Sequence, residues 1–391
     1  MKILIANPGS TSYKCKLYDM QDMRILFQAN VERIGEEDSL YSYKFFSQRE
    51  INKKGHIADY FAAVNGTIKT LKKEFAIDEI SAVGFKTVHA KDITGCVELG
   101  IDVIDAMKSY LPLAPVHTQV YLNAITVFQK ILPATPLIGL FETTFHTEIP
   151  AEAFLYGIPY EYYEKYGIRK YGFHGASHRY ITQRARELYF KDQPSYKLIS
   201  CHLGGSSSVC AIKDGKSVDT SMGMSPQCGL LNANRVGDLD PFALLYLMEM
   251  ENMSIDQVRK ILISKSGVLG ISGSSGDFRD ILKNMQRGDK RAELAFRTFV
   301  YNVKRYIGEY LAILNGADCI VFTAGSGQNS PQLREAVLAD MDKLGIKIDK
   351  IKNYANPKEG IISADSSLVK VAVIPTNEEL VVAQEVQRYL A

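Results

Sequence analysis

The sequence predicts an α/β fold built from a duplicated domain, and three stretches carry that prediction. IANPGSTSYKCKLYD (5–19) reads as an apolar strand, a hydroxyl-rich turn and an alternating strand. LISCHLGGSSSVCAIKDGKSVDTSMG (198–223) repeats the design and adds a tight Asp214-Gly215 turn and one more strand. CIVFTAGSGQNSPQLREAVLADM (319–341) runs from an apolar strand into Gly325-Ser326-Gly327 and then an amphipathic helix whose start is marked by Ser330-Pro331. Two such hairpins, each opening one half of the chain, indicate an internal duplication.

The first hairpin breaks at Asn7-Pro8-Gly9-Ser10-Thr11-Ser12, longer than the two or three residues that a turn needs. Three hydroxyls, an amide and Lys14 are the groups that surround an anionic phosphate chain. A polar hairpin with no ligand accounts for this stretch equally well. The Gly-rich segment at 325–327 lets a flat ring or a phosphate approach the backbone closely. Helical periodicity appears around 57–75, at 295–317 and at the chain end, and LIGLF (137–141), CIVFT (319–323) and KVAVIP (370–375) read as buried strands. With no low-complexity segment or long linker, the expected division is an N-terminal domain, 1–147, and a C-terminal domain, 148–379, facing each other across a cleft. The last helix, 380–391, is expected to pack back on the first domain.

Composition narrows the context. The chain has 391 residues, 46% of them hydrophobic, enough for about two domains. Lys+Arg 46 against Asp+Glu 44 leaves a formal charge of +2, which argues against a nucleic-acid partner. No apolar run reaches the roughly 18 to 20 residues that span a bilayer, and the N-terminus reads as a strand, so a soluble cytoplasmic protein with no membrane partner is expected. The six cysteines show no C-x-x-C pair and no zinc spacing, which makes them reduced packing residues.

Six of the seven histidines, all but His56, lie in short polar motifs. In IRKYGFHGASHRY (168–180), His174 sits on a turn between Phe173 and Gly175, with Ser177 and His178 at helix-entry spacing. An imidazole there can donate a hydrogen bond to charge developing on a transferred group. A buried, satisfied imidazole is the alternative. A metal pair of His174 and His178 is a third reading, but no acidic residue occupies the H-E-x-x-H place.

Collinear motifs across nearly the whole chain resemble the acetate and propionate kinase family. They are NPGSTSYK (7–14), LAPVH (113–117), FETTFH (141–146), KYGFHGASH (170–178), GKSVDTSMGMSP (215–226), NRVGDLDP (234–241), SGVLGISGSSGDFRDI (266–281), FTAGSGQNSP (322–331) and VIPTNEEL (373–380). The resemblance implies a duplicated actin-like ATPase fold, a homodimer, ATP and Mg2+, and phosphoryl transfer to a small carboxylate. It implies that Glu142, His174 and Arg235 are catalytic, that Lys86, Val88, Val116, Phe173 and Pro226 bind the acid, and that Asn7 and Glu378 lie near magnesium. Ser10, Ser12 and Lys14 match the first phosphate hairpin; His202, Gly204, Gly205 and Ser206 match the second. Asp277, Phe278 and Arg279 match the adenosine pocket, with Gly325, Ser326, Gly327 and Asn329.

Several departures from the family pattern fall within these motifs. Lys86 stands where the family has arginine, which keeps the charge but loses the bidentate fork. Glu142 replaces an aspartate, and the two changed residues are expected on opposite sides of the reacting centre. In the second hairpin an asparagine is lost at Gly205 and a glycine is replaced at Ser206. Val116 stands for leucine, which opens the acid pocket by one methylene and lets propionate compete with acetate. Three readings follow: an active carboxylate kinase, a same-fold kinase with another phosphoryl donor, and a nucleotide-binding paralogue with little turnover.

Overall fold

The structure is a computed structural model that describes residues 1–9, 11–113 and 115–391, the side chains of residues 115–117 excepted. Ser10 and the side chain of Val116 therefore lie outside the described residues. The chain forms two compact units, Met1–Thr144 with Asn377–Ala391, and Phe145–Thr376.

In the first unit β1 (Lys2–Pro8), β2 (Ser12–Asp19), β3 (Arg24–Glu32), β4 (Leu40–Phe45) and β5 (Glu50–Lys54) form an antiparallel meander. β6 (Ile80–Thr87) then joins β1 in parallel, β8 (Leu137–Phe141) joins β6 in parallel, and the short β7 (Cys96–Glu98) closes the edge against β8. The resulting order is β5-β4-β3-β2-β1-β6-β8-β7. Strand alternation gives each face its own cover. Phe85 meets Phe128 of the helix Pro115–Ile131 edge to face at 5.4 Å. Gly84, one residue earlier, turns the other way, where a Cβ would lie 3.1 Å from Val386 and 3.2 Å from Val382 of the terminal helix Glu378–Leu390.

The second unit repeats this plan. β9 (Lys197–Leu203), β10 (Ser207–Lys213) and β11 (Lys216–Thr220) form the meander, and β12 (Cys319–Thr323) and β14 (Lys370–Val373) follow in parallel, with β13 (Gly360–Ile361) on the edge. The orders β3-β2-β1-β6-β8 and β11-β10-β9-β12-β14 correspond strand for strand, so the duplication expected from the two hairpins is present. One face buries Ile199, Cys201, Val209 and Ala211 against Phe299 and Val303 of the helix Lys290–Ile313. The other buries Leu198, Cys210 and Val321 against Ile181 and Ala185 of the helix Gly175–Tyr189.

Two local expectations change. Asn7, Pro8 and Ser12, expected in the first hairpin turn, belong to strands instead: Asn7 and Pro8 continue β1 opposite Lys14 and Tyr13, and Ser12 begins β2. Proline lacks only the N–H, and at the strand end this loss is tolerated. The Gly-rich segment is itself a short helix, Ala324–Asn329, entered through Ala324 at φ 63°, before Ser330 caps the helix Pro331–Leu338. Among the described residues, no helix is long and apolar enough to cross a membrane.

Candidate active site

In the first unit, β1, β6 and β8 run parallel, so their C-terminal ends emerge at one edge of the sheet, the usual place for a ligand in such sheets. Asn7 ends β1, Lys86 lies one residue from the end of β6, and Glu142 follows β8 directly, its N–H donating to the Thr87 carbonyl at 2.9 Å. Glu378 opens the terminal helix, whose N-cap Asn377 accepts from the Leu380 N–H. Carboxylates in a first helical turn are favoured by the helix dipole.

Lys86 Nζ lies 2.5 Å from Glu378 Oε2 and 3.5 Å from Glu142 Oε1. Burial alone would push the Lys86 ammonium down, but Glu378 first and Glu142 second hold it well above the usual lysine range. The expectation that Lys86 and Glu142 sit on opposite sides of a reacting centre is therefore corrected: they are direct neighbours, because parallel pairing of β6 and β8 sets the two strand ends side by side. The buried Tyr121 interacts with all three charges and was not singled out by its sequence context. The hydroxyls of Thr87 and Thr143 are buried with no hydrogen-bond partner among the described residues. Val88 is half-buried against the unit's core, Ser12 offers its carbonyl to the Tyr60 hydroxyl at 2.9 Å, and Lys14 is exposed.

In the second unit the first turn of the helix Gly175–Tyr189 lies over β9 and β10 and assembles four histidines. His174 precedes the helix in a left-handed conformation, φ 56°, and its ring stacks on His202 with centroids 4.0 Å apart. His174 Nδ1 meets Ser208 Oγ at 2.8 Å, and His202 Nδ1 meets Ser177 Oγ at 2.8 Å. His146 fixes the backbone beside them. Its Nε2 lies 2.9 Å from the Phe173 carbonyl, which can only accept, so Nε2 carries the proton and Nδ1 accepts from Ser217 at 2.8 Å. Gly172 makes room for this packing: at φ 78° a Cβ there would lie 2.5 Å from Thr220 Cγ2 and 2.7 Å from His146 Cδ2.

Burial pushes His146 and His89 down to about 4. Burial, with His146 and His202 nearby, pushes His178 well below the ordinary imidazole range. A base whose folded-state pKa is lowered binds fewer protons folded than unfolded, so stability falls as pH drops through the ordinary imidazole range towards 4. Each of these imidazoles is expected to cost up to about 1.4 kcal/mol per pH unit in that window. Urea midpoints measured from pH 7 to pH 5 check this, and a flat profile would contradict it.

Arg235 is 8% exposed, and its Nη1 donates to the Pro226 carbonyl at 3.2 Å. No carboxylate pairs with it among the described residues, and burial pushes the guanidinium down to about 10. Phe173 and Pro226 are buried. Asn232, which the sequence reading missed, accepts from the Ser207 N–H at 2.5 Å and so braces the second hairpin from within the segment that leads to Arg235. Gly204 in that hairpin approaches the Gly-rich helix, a Cβ there lying 3.9 Å from Gly325 N, whereas a Cβ on Gly205 would meet nothing within 4 Å. Gly325 is exposed, Ser326 half-buried and Gly327 buried, and the Asn329 amide donates to the Gly325 carbonyl at 2.9 Å.

A second missed residue supports this helix. Arg334 is fully buried and donates to the carbonyls of Gly327 at 2.9 Å and Gln328 at 2.7 Å, while Asn353 and Asn356 hold the rest of its guanidinium. Its signal was a charged residue on the helical face shared with Val337 and Leu338. Asp277 caps the helix Phe278–Gln286 and pairs with Arg279 at 2.5 Å. The Phe278 ring packs into the core 4.5 Å from Phe299.

A sequence model of the acetokinase family matches residues 2–384. An acetate kinase from Natranaerobius thermophilus is 44% identical over 396 residues, with 100% of both chains covered. Among solved structures, the acetate kinase of Porphyromonas gingivalis superposes with a TM-score of 0.88 at 36% identity over 100% of both chains. A propionate kinase from Francisella tularensis does so with a TM-score of 0.90 at 32% identity over 98% of both. Two mixed sheets of one strand order, with these neighbours, make this the duplicated actin-like ATPase fold. The agreement spans both units rather than one of them, and on it the chain belongs to the acetokinase family.

Proposed function

We propose that the protein transfers the γ-phosphoryl group of ATP to acetate or a similar short-chain acid, reversibly, giving acyl phosphate and ADP. A carboxylate oxygen attacks the γ-phosphorus, the new O–P bond forms, and the bond to the bridging oxygen of ADP breaks. Such a transfer needs charge neutralisation and in-line positioning more than covalent chemistry by the protein. The observation that carries the reading is Arg235, a buried guanidinium with no carboxylate partner among the described residues, an arrangement that favours an incoming anion.

In this reading Arg235 and His174 neutralise the transferring phosphoryl group, and Glu142 supplies the catalytic carboxylate. Lys86 holds the acid's carboxylate, with Val88, Val116, Phe173 and Pro226 around its alkyl group. The two hairpins hold the phosphates, and Asp277, the Phe278 main chain, Arg279 and the segment 325–329 hold the nucleoside. Asn7 and Glu378 would hold magnesium. The amide and carboxylate oxygens are the hard donors it prefers, and one or two protein carboxylates suffice because phosphates and water complete its shell. Among the described residues no group of three or more His, Cys, Asp or Glu could hold a metal ion, which accords with an ion bound largely through the nucleotide. When bound, magnesium supplies charge neutralisation on the β- and γ-phosphates.

Hydroxamate trapping with Mg-ATP and acids of two to four carbons tests the function. Acyl phosphate is expected from acetate and propionate, and none with any of these acids would overturn the proposal. The open position at Gly205 favours one further reading, a different phosphoryl donor. Gly205→Asn has space for its side chain, so it should leave the urea midpoint unchanged and raise kcat/KM for ATP by roughly tenfold to a hundredfold, the order of one hydrogen bond to a charged group. Running ATP, GTP and pyrophosphate in parallel checks this. Preference for GTP or pyrophosphate by the unaltered protein would instead support the second donor.

The protein acts as a homodimer in the cytoplasm in this proposal. The helix Pro241–Glu251 has no buried residue and exposes Phe242 at 75%, Tyr246 at 65% and Met250 at 64%, which a second copy would cover. The cysteines are free, in accord with a reducing compartment. Phe242→Asp with Tyr246→Asp is expected to convert a dimer to monomer in sedimentation velocity, and an unchanged dimer would place the interface elsewhere.

A further inference from the structure

Ser208 Oγ lies 2.8 Å from His174 Nδ1 and 2.8 Å from His178 Nε2, and His178 Nδ1 lies 2.9 Å from Ser200 Oγ. Ser200, Ser208 and His178 are all fully buried. The chain of groups arises from ordinary packing. Ser200 and Ser208 sit on the neighbouring strands β9 and β10, and His174 and His178 stand one turn apart at the start of the helix that covers them. Desolvation keeps His178 neutral, with a single N–H.

Each hydroxyl has one proton to donate and two lone pairs to accept with, and His178 has one N–H, so the four groups can be ordered in three ways. In one, Ser200 donates to His178 Nδ1, His178 Nε2–H donates to Ser208, and Ser208 donates to His174 Nδ1. In the second, every bond reverses, and the Ser200 hydroxyl, which has no other hydrogen-bond partner among the described residues, is left as a buried donor without an acceptor. In the third, Ser208 accepts from both rings and its own buried hydroxyl proton is the one left without an acceptor among the described residues. An orphaned buried donor disfavours each of these two orderings by on the order of tenfold to a hundredfold. We infer that Ser200 and Ser208 are positioning residues that act through His178 to hold His174 in the tautomer with its proton on Nε2. On the phosphoryl-transfer reading, from which this consequence follows, His174 then meets a phosphoryl oxygen as a neutral hydrogen-bond donor, with no prior protonation step.

The test is a two-bond proton–nitrogen correlation spectrum of the full-length protein labelled with 15N-histidine, with the His174 ring assigned by its loss in His174→Gln. The unaltered protein is expected to show Nε2 as the protonated nitrogen of His174. A Nδ1-protonated ring would overturn the inference without any variant having to fold. Ser200→Ala removes the donor that sets the direction, so the Nδ1–H form should rise by about tenfold or more, and Ser200→Thr, which keeps the hydroxyl, should restore the native pattern. A tautomer unmoved in Ser200→Ala would also overturn it. In acyl phosphate formation Ser200→Ala should lower kcat by about tenfold with both KM values unchanged. If the tautomer shifts while kcat does not, the hydrogen-bond chain stands and the role of His174 at the phosphoryl group fails.

Discussion

Arg235→Ala is expected to lower kcat/KM for acyl phosphate formation by about a thousandfold while leaving the fold at least as stable. A positioned arginine at a transferring phosphoryl group is worth roughly 10³ to 10⁵ in rate, because it neutralises charge that grows towards the transition state in a site from which water is excluded. The stability half follows from the same geometry. The guanidinium is almost wholly buried, its one side-chain hydrogen bond goes to the Pro226 carbonyl, and no carboxylate balances it among the described residues. A buried cation without a counter-charge is destabilising, so its removal relieves the fold. Arg235→Lys should recover little activity, since a single ammonium lacks the planar fork. Trapped acyl phosphate and urea midpoints measured on the same preparations decide the matter. A large loss of stability in Arg235→Ala would mean that the residue is structural.

Lys86→Met should destabilise the protein by about 3 kcal/mol, the order expected when one partner of a buried ion pair is removed. The reason is the company Lys86 keeps: without the ammonium, Glu142 and Glu378, with side chains 6% and 18% exposed, are left as like charges in a poorly hydrated place. The milder exchanges test coupling. Lys86→Arg and Glu142→Asp each restore one family residue and change one side of a direct contact, so each alone should lower kcat/KM and the double change should recover the loss. Residues in contact show interaction energies of roughly 0.5 to 3 kcal/mol, and additivity within about 0.5 kcal/mol would exclude compensation.

The strands and main helices were legible because their signals are local. Apolar runs at 137–141 and 319–323 became β8 and β12, the Asp214-Gly215 turn joins β10 to β11, and Ser330 caps the helix that Pro331 begins. Boundaries were less legible. Asn7 and Pro8 looked like turn residues but pair across the ladder, where the register with β2 overrides their local preference. The Gly-rich stretch after β12 looked like a loop and is a turn of helix, held in part by Arg334, whose place on an apolar helical face shows in the sequence but whose partners do not.

Arg235 and His174 could be singled out from sequence because a family motif surrounds each of them, but the motif carries no information about what the side chains touch. Lys86 and Glu378 are 292 positions apart and form a 2.5 Å ion pair, because the terminal helix returns to the edge where β6 ends. Ser200 and Ser208 are ordinary strand residues until antiparallel pairing sets them beneath the helix that carries His178. The sequence by itself determined the duplicated plan, the order of the strands' signals and the chemical types available, since periodicity, turn chemistry and composition act over a few residues. Which charges became partners, and that Arg235 is buried without a carboxylate beside it among the described residues, was decided by the tertiary structure alone. Those outcomes depend on where parallel strands end and on how much water is removed, and both are set only when distant segments pack.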